Sequence, residues 1–147
     1  MTRAQQAKEN FLHGLNCSQA VAVAFADLLD VPEETLRAAL LPLGGGMGRL
    51  RETCGTVSGA AVTLGLLFPG MTKPEMYALV QELARRFRAK NGSINCGQLL
   101  SGAGLQVDTS PNPEARTEAY YKKRPCPDLV YDAAEIVEAL CMEKGRI

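Results

Sequence analysis

Four of the five cysteines stand where a helix is expected to begin, each just after a turn signal. Cys17 follows Gly14-Leu15-Asn16, Cys54 follows the run Gly44-Gly45-Gly46, Cys96 follows Asn91-Gly92-Ser93-Ile94-Asn95, and Cys126 follows Pro125. A helix N-terminus offers unpaired N–H groups and the positive end of a dipole, and both favour thiolate over thiol. The thiolate is the form of cysteine that ligates metals and attacks disulfides, so the pattern points to redox or metal chemistry. No Cys-x-x-Cys pair occurs, which removes the zinc-ribbon and thioredoxin-type patterns. Any site must therefore be assembled from separate helices. Free cysteine is also a small, commonly buried hydrophobe, so the evidence lies in the repeated context rather than in the number. Cys141 lacks that context. It falls four residues after Val137 on the apolar stripe of the last helix, where packing accounts for it.

Helical periodicity dominates the elements that must position these residues, and no run alternates as a strand would. A first helix is expected over Arg3 to Leu12, stopped by Gly14, and a second from Asn16 or Cys17 to about Leu29. Pro32 opens a short third helix to Leu40 or Leu41. Gly44-Gly45-Gly46-Met47-Gly48 is the one strongly flexible stretch, handing over to an almost wholly apolar helix from about Glu52 to Phe68. Thr72-Lys73-Pro74-Glu75 is a capping box opening a helix to Ala89 or Lys90, closed by Asn91-Gly92. A short helix from Cys96 to Ser101-Gly102, a loop to Pro113, a further short helix over Glu114 to Lys122 and a last one from Pro127 or Asp128 to Lys144 complete the chain. The expected fold is all-α: a compact single-domain bundle of about six or seven helices.

The chain has 147 residues, enough to bury a core without staples. Sixteen basic residues balance sixteen acidic ones, so no overall field favours nucleic acid. The first ten residues contain no apolar run of the kind that directs export. The most hydrophobic stretch, Val57 to Phe68, is too short to span a bilayer. Membrane insertion is not expected, a cytoplasmic location is, and there five cysteines read as free thiols, a metal site or a catalytic couple. The oligomeric state is left open.

The stretch Gly44-Gly45-Gly46-Met47-Gly48-Arg49, continued by Cys54-Gly55-Thr56-Val57-Ser58-Gly59-Ala60, resembles the signature of a redox-active four-cysteine family (C_GCAxxG_C_C), with its C-G-A-x-x-G motif. Asn16-Cys17-Ser18-Gln19-Ala20, Ser93-Ile94-Asn95-Cys96 and Cys126-Pro127 extend the resemblance over roughly residue 8 to residue 140. One departure is that Thr56 stands where the motif has alanine; its hydroxyl could donate a hydrogen bond and removes no ligand. The resemblance implies a small helical protein of redox character with Cys17, Cys54, Cys96 and Cys126 as its four cysteines, and names no substrate. A related cysteine-bearing domain occurs in some multihaem cytochromes beside an iron–sulfur cluster. No Cys-x-x-Cys-His attachment motif is present, so haem is not expected.

Three chemistries are open to these four cysteines. Four thiolates satisfy an iron–sulfur cluster, with Gly45, Gly46 and Gly55 as positions where backbone could approach a bulky inorganic anion. Two thiols could instead cycle as an attacking and a resolving pair. A closed zinc site is the third, and would be structural. Ligation is placed ahead of cycling, in an electron carrier or thiol oxidoreductase accessory with a redox partner protein. The competing class is a non-catalytic interaction module with structural zinc or merely buried cysteines. His13, the only histidine, is a candidate base or ligand if the first helix runs on to Cys17, which Gly14 and Asn16 argue against. Arg49 and Arg51 are read as solvated charge, as is Lys122-Lys123-Arg124, beside which Tyr120 and Tyr121 add aromatic surface.

Overall fold

The computed structural model describes all 147 residues. Eight right-handed helices follow one another: α1 (Arg3–Leu12), α2 (Cys17–Val23), α3 (Glu33–Leu40), α4 (Gly55–Leu67), α5 (Lys73–Asn91), α6 (Cys96–Gly102), α7 (Glu118–Lys123) and α8 (Cys126–Glu143). The chain is all-α, 67% helical, as its periodicity predicts. Thr2, Asn16 and Thr72 each open a helix through a capping box, and Asn95 and Thr117 cap α6 and α7. Gly92, at φ 87°, ends α5 in the left-handed region.

α4 is the centre. It is apolar on nearly every side and packs on α2, α5 and α8, while α1 lies across α2 and α8. Val57, Ala60, Leu64 and Leu67 of α4 meet Ala20 and Val21 of α2, Leu83 and Phe87 of α5, and Val130, Ala133 and Val137 of α8 in one apolar core. No helix is long and apolar enough to cross a membrane.

Three boundaries differ from the sequence-based expectation, each for a visible reason. α2 stops at Val23 rather than near Leu29: the Ala24 carbonyl accepts from Arg3 Nη1 at 2.8 Å, and the chain tightens into a 3-10 turn over Ala26–Leu28. α4 starts at Gly55 rather than Glu52, because residues 51 to 54 pair with residues 94 to 97. Cys54 N–H donates to Ile94 O (2.7 Å), Cys96 N–H to Glu52 O (2.6 Å) and Gly97 N–H to Arg51 O (3.2 Å), around a bridge between Thr53 and Asn95. α7 starts at Glu118, since Glu114 forms an ion pair with Arg124 instead of entering the helix.

The glycine-rich stretch is a defined structure. From Gly45 to Arg49, five consecutive residues have φ of 68°, 72°, 70°, 60° and 66°, a left-handed turn. It is held by Gly48 N–H to Pro42 O (2.8 Å) and Glu52 N–H to Gly46 O (2.9 Å). Met47 and Arg49 pay a steric cost of about 1–2 kcal/mol each for this conformation, so the turn persists only because its surroundings demand it.

Glycine also sets the spacing of α4 on α2. A Cβ at Gly59 would lie 2.6 Å from the Ser18 carbonyl oxygen, whereas one at Gly65 would meet nothing within 4 Å. Gly59→Ala should therefore lower the unfolding free energy by ~1–3 kcal/mol, and Gly65→Ala should leave it unchanged or raise it by up to ~1 kcal/mol. Urea denaturation of the two variants measures the contrast; equal effects would mean that α2 and α4 are not in backbone contact.

Candidate functional site

All four turn-preceded cysteines stand at helix starts. Cys17, Cys96 and Cys126 are the first residues of α2, α6 and α8, and Cys54 is the residue that caps α4. The four line one cavity of about 610 Å³. All five cysteines are free thiols. Cys141 is fully buried in the core, as its stripe predicts. His13 is exposed at the end of α1, its Nδ1 2.8 Å from Glu9 O, and takes no part in the cavity wall.

The glycines explain how the sulfurs come together. A Cβ at Gly55 would overlap Cys17 Sγ, and one at Gly46 would lie 2.6 Å from Cys96 Cβ. The Gly45 N–H lies near enough to the Cys17 sulfur to favour its thiolate. Gly45 and Gly55 reach the cavity, while Gly46 is buried behind it against Cys96.

Each of the other sulfurs has its own polar neighbour. Thr56 Oγ1 lies 3.1 Å from Cys54 Sγ, so the residue that departs from the motif contacts the cysteine directly. Arg51 Nη1 lies 3.7 Å from Cys96 Sγ. Cys126 feels the positive charges of Arg124 and Arg116. The helix-start argument predicts lowered thiol pKa values, and here burial reverses it. Desolvation pushes the Cys17 thiol up, against the Gly45 N–H that favours its thiolate. It pushes Cys54 well above the ordinary thiol range and Cys126 to about 12. Neighbouring sulfur charge adds to the effect: Cys17 acts on both Cys54 and Cys126, and Cys96 acts on Cys17. Cys126 likewise acts on Cys54 and feels Cys96, so Cys17 and Cys126 are the two sulfurs coupled to all the others.

Arginines complete the wall, and three of them correct the reading of surface charge. Arg51 is only 8% exposed, and the Arg49 side chain 12%. Arg49 Nη1 donates to the carbonyls of Ser110 and Asn112, and Arg51 Nε to that of Asp108 at 2.9 Å. Both therefore hold the 108–112 loop over the cavity. Lys122 and Lys123 are solvated as expected, whereas the Arg124 side chain is buried beside Tyr120 and paired with Glu114. Tyr120 is half-buried and lines the cavity. Arg116 carries no signal in the sequence. It stacks over Phe11 at 4.3 Å and donates to Tyr121 Oη nearby and to Phe11 O and Leu15 O, partners on α1 and its exit that only the fold supplies.

A metal ion fits this arrangement poorly. No three cysteine, histidine, aspartate or glutamate side chains converge as a group able to hold one, and a closed zinc tetrahedron needs four.

A family model described as "Putative redox-active protein (C_GCAxxG_C_C)" matches residues 15–140. Neither the curated proteins nor the solved structures contain a match to the chain.

The raised thiols have a kinetic consequence. Cys126 stays protonated until pH rises towards about 12, whereas in the unfolded chain a thiol ionises near an ordinary ~8.5. At neutral pH the folded protein should therefore be alkylated at Cys126 about three-thousandfold more slowly than the unfolded chain, with the rate climbing about tenfold per pH unit. Quenched iodoacetamide labelling followed by peptide mass spectrometry measures this. A rate that levels off near neutrality would show that the helix start outweighs burial.

Proposed function

The chain belongs to the C_GCAxxG_C_C family, and from that premise we propose that it is a thiol-based redox protein in which Cys126 and Cys17 cycle between two thiols and a disulfide. The observation that carries this reading is the meeting of four free thiols, from four separate helix starts, around one cavity. Core packing needs no such meeting, as the isolated Cys141 shows. Cys17 and Cys126 are the two of the four that are partly open, and Cys17 is the sulfur whose charge weighs most on Cys126.

In the proposed cycle the Cys126 thiolate attacks one sulfur of a substrate disulfide. A mixed disulfide forms, and the first substrate thiolate leaves and takes up a proton. The Cys17 thiolate then attacks the Cys126 sulfur and releases the second substrate thiol. The substrate disulfide is reduced to two thiols, the protein is oxidised to a disulfide, and the two cysteine protons end on the products. A dithiol partner protein returns the protein to its reduced form, in the reducing cytoplasm. Burial keeps the resting thiols protonated, so holding the disulfide against the sulfurs must supply the rate.

An iron–sulfur cluster is the second reading. Donors at three of the sulfurs favour it: Gly45 N–H at Cys17, Thr56 at Cys54 and Arg51 at Cys96 are contacts of the kind that tune cluster potentials. It stands second because no three ligating side chains converge on one metal position.

Equilibration with a dithiol/disulfide buffer should yield a Cys17–Cys126 disulfide by peptide mapping, lost in Cys17→Ser. Because both thiols remain protonated, each electron carries one proton, and the midpoint potential should fall by about 59 mV per pH unit from neutrality past pH ~9 without a break. A break near neutrality would mean that one thiol ionises there. Iron and acid-labile sulfide in stoichiometric amounts in protein purified without oxygen, lost together in Cys54→Ser, would replace the thiol couple with the cluster.

A further inference from the structure

The cavity is strongly cationic for its depth. Arg49, Arg51, Arg116 and Arg124 line it against a single carboxylate, Glu114, which is spent on Arg124. Arg49 has only a distant partner in Asp108, at 4.0 Å. Arg51 and Arg116 have no carboxylate partner. Arg51 is more than nine-tenths buried; its Nε is taken by a backbone carbonyl and its Nη1 faces the Cys96 sulfur, while Nη2, which has no acceptor in the protein, remains accessible. Arg116 is held by two carbonyls and a phenol, which orient the guanidinium without neutralising it. Taking a cation out of water without a counter-charge is unfavourable, and no carboxylate of the protein supplies that charge to Arg51 or Arg116. An anionic ligand can.

We infer that the cavity binds a small organic carboxylate and, on the thiol-couple reading above, that its substrate is a low-molecular-weight disulfide with a carboxylate at each end. The guanidinium fork suits a carboxylate. The two unpaired cations act on different sulfurs: Arg51 Nη1 lies 3.7 Å from Cys96 Sγ, and the Arg116 charge acts on Cys126. A molecule with its charges at the ends and its sulfurs in the middle presents the disulfide where Cys17 and Cys126 open. Leu99, Leu100 and Leu129 supply apolar wall for the methylenes between, and 610 Å³ is ample for a molecule of this size. The exchange is the one already written, with this disulfide reduced to two carboxylate thiols.

Binding and chemistry are separable. The thioether 3,3′-thiodipropionate has two carboxylates and no disulfide, so its binding to the wild-type protein, followed by calorimetry, tests the anion site alone. It should bind, and should slow alkylation of Cys126 at alkaline pH by about tenfold, where its neutral diamide does neither. Reduction rates should then order as dithiodiglycolate, 2-hydroxyethyl disulfide and cystamine (anionic, neutral, cationic). The first should be about tenfold above the second, with the advantage shrinking as salt is added. Binding of the thioether without reduction of any disulfide would keep the anion site and sink the thiol couple. No binding, or a charge order that is flat or reversed, would overturn the anion site even if the Cys17–Cys126 disulfide forms. Inorganic phosphate binding as tightly as the thioether would overturn the organic carboxylate.

Discussion

Everything at the cavity depends on backbone touching side chain where no Cβ can stand. Gly55 lies against the Cys17 sulfur and Gly46 against Cys96, and Gly59 seats α4 on the backbone of Ser18 one turn further along. These approaches bring the starts of α2, α4 and α6 within reach of one another, and the sulfurs follow because each sits at such a start. The left-handed turn is the other half of the same constraint. Its reversal of hand carries the chain from Gly44, beside Asn16, to Arg51, beside Cys96. Glycine relieves it at three positions, and Met47 and Arg49 bear it without relief.

Two effects compete at each sulfur. Helix starts and nearby N–H groups favour the thiolate, and loss of water favours the thiol. At Cys17, Cys54 and Cys126 the loss of water wins. The donors are not wasted, because they lower the cost of charge when it does arrive. A site built this way is quiet at rest and responsive to what enters it.

Much of this was legible in the sequence. Thr2, Asn16 and Thr72 each announce a helix start through local capping chemistry, and the structure honours all three. The cysteine contexts located the four helix starts that meet, and the apolar run after Cys54 marked the central helix. What the sequence could not show was long-range. The pairing of residues 51–54 with 94–97 leaves no alternation to detect, being a few hydrogen bonds long. Arg51 reads as an ordinary surface cation until its partner Asp108, 57 residues away, is known. Arg116 depends on Phe11 and Leu15, at the far end of the chain. Local rules gave the direction of the thiol shift wrongly, because burial is a property of the whole fold.

The contacts of Arg49 and Arg51 with the covering loop bear on how freely that loop can vary. All the hydrogen bonds of both arginines to the loop go to main-chain carbonyls, at Asp108, Ser110 and Asn112, and the one side-chain contact is the long Arg49–Asp108 ion pair. Every residue type offers that acceptor. Asp108 apart, the latch is therefore indifferent to the identity of the residues it holds, and answers to the path of the chain. Over evolutionary time the loop can drift in sequence, reshaping the cavity roof for a different occupant, while the arginines and the sulfurs beneath keep their places.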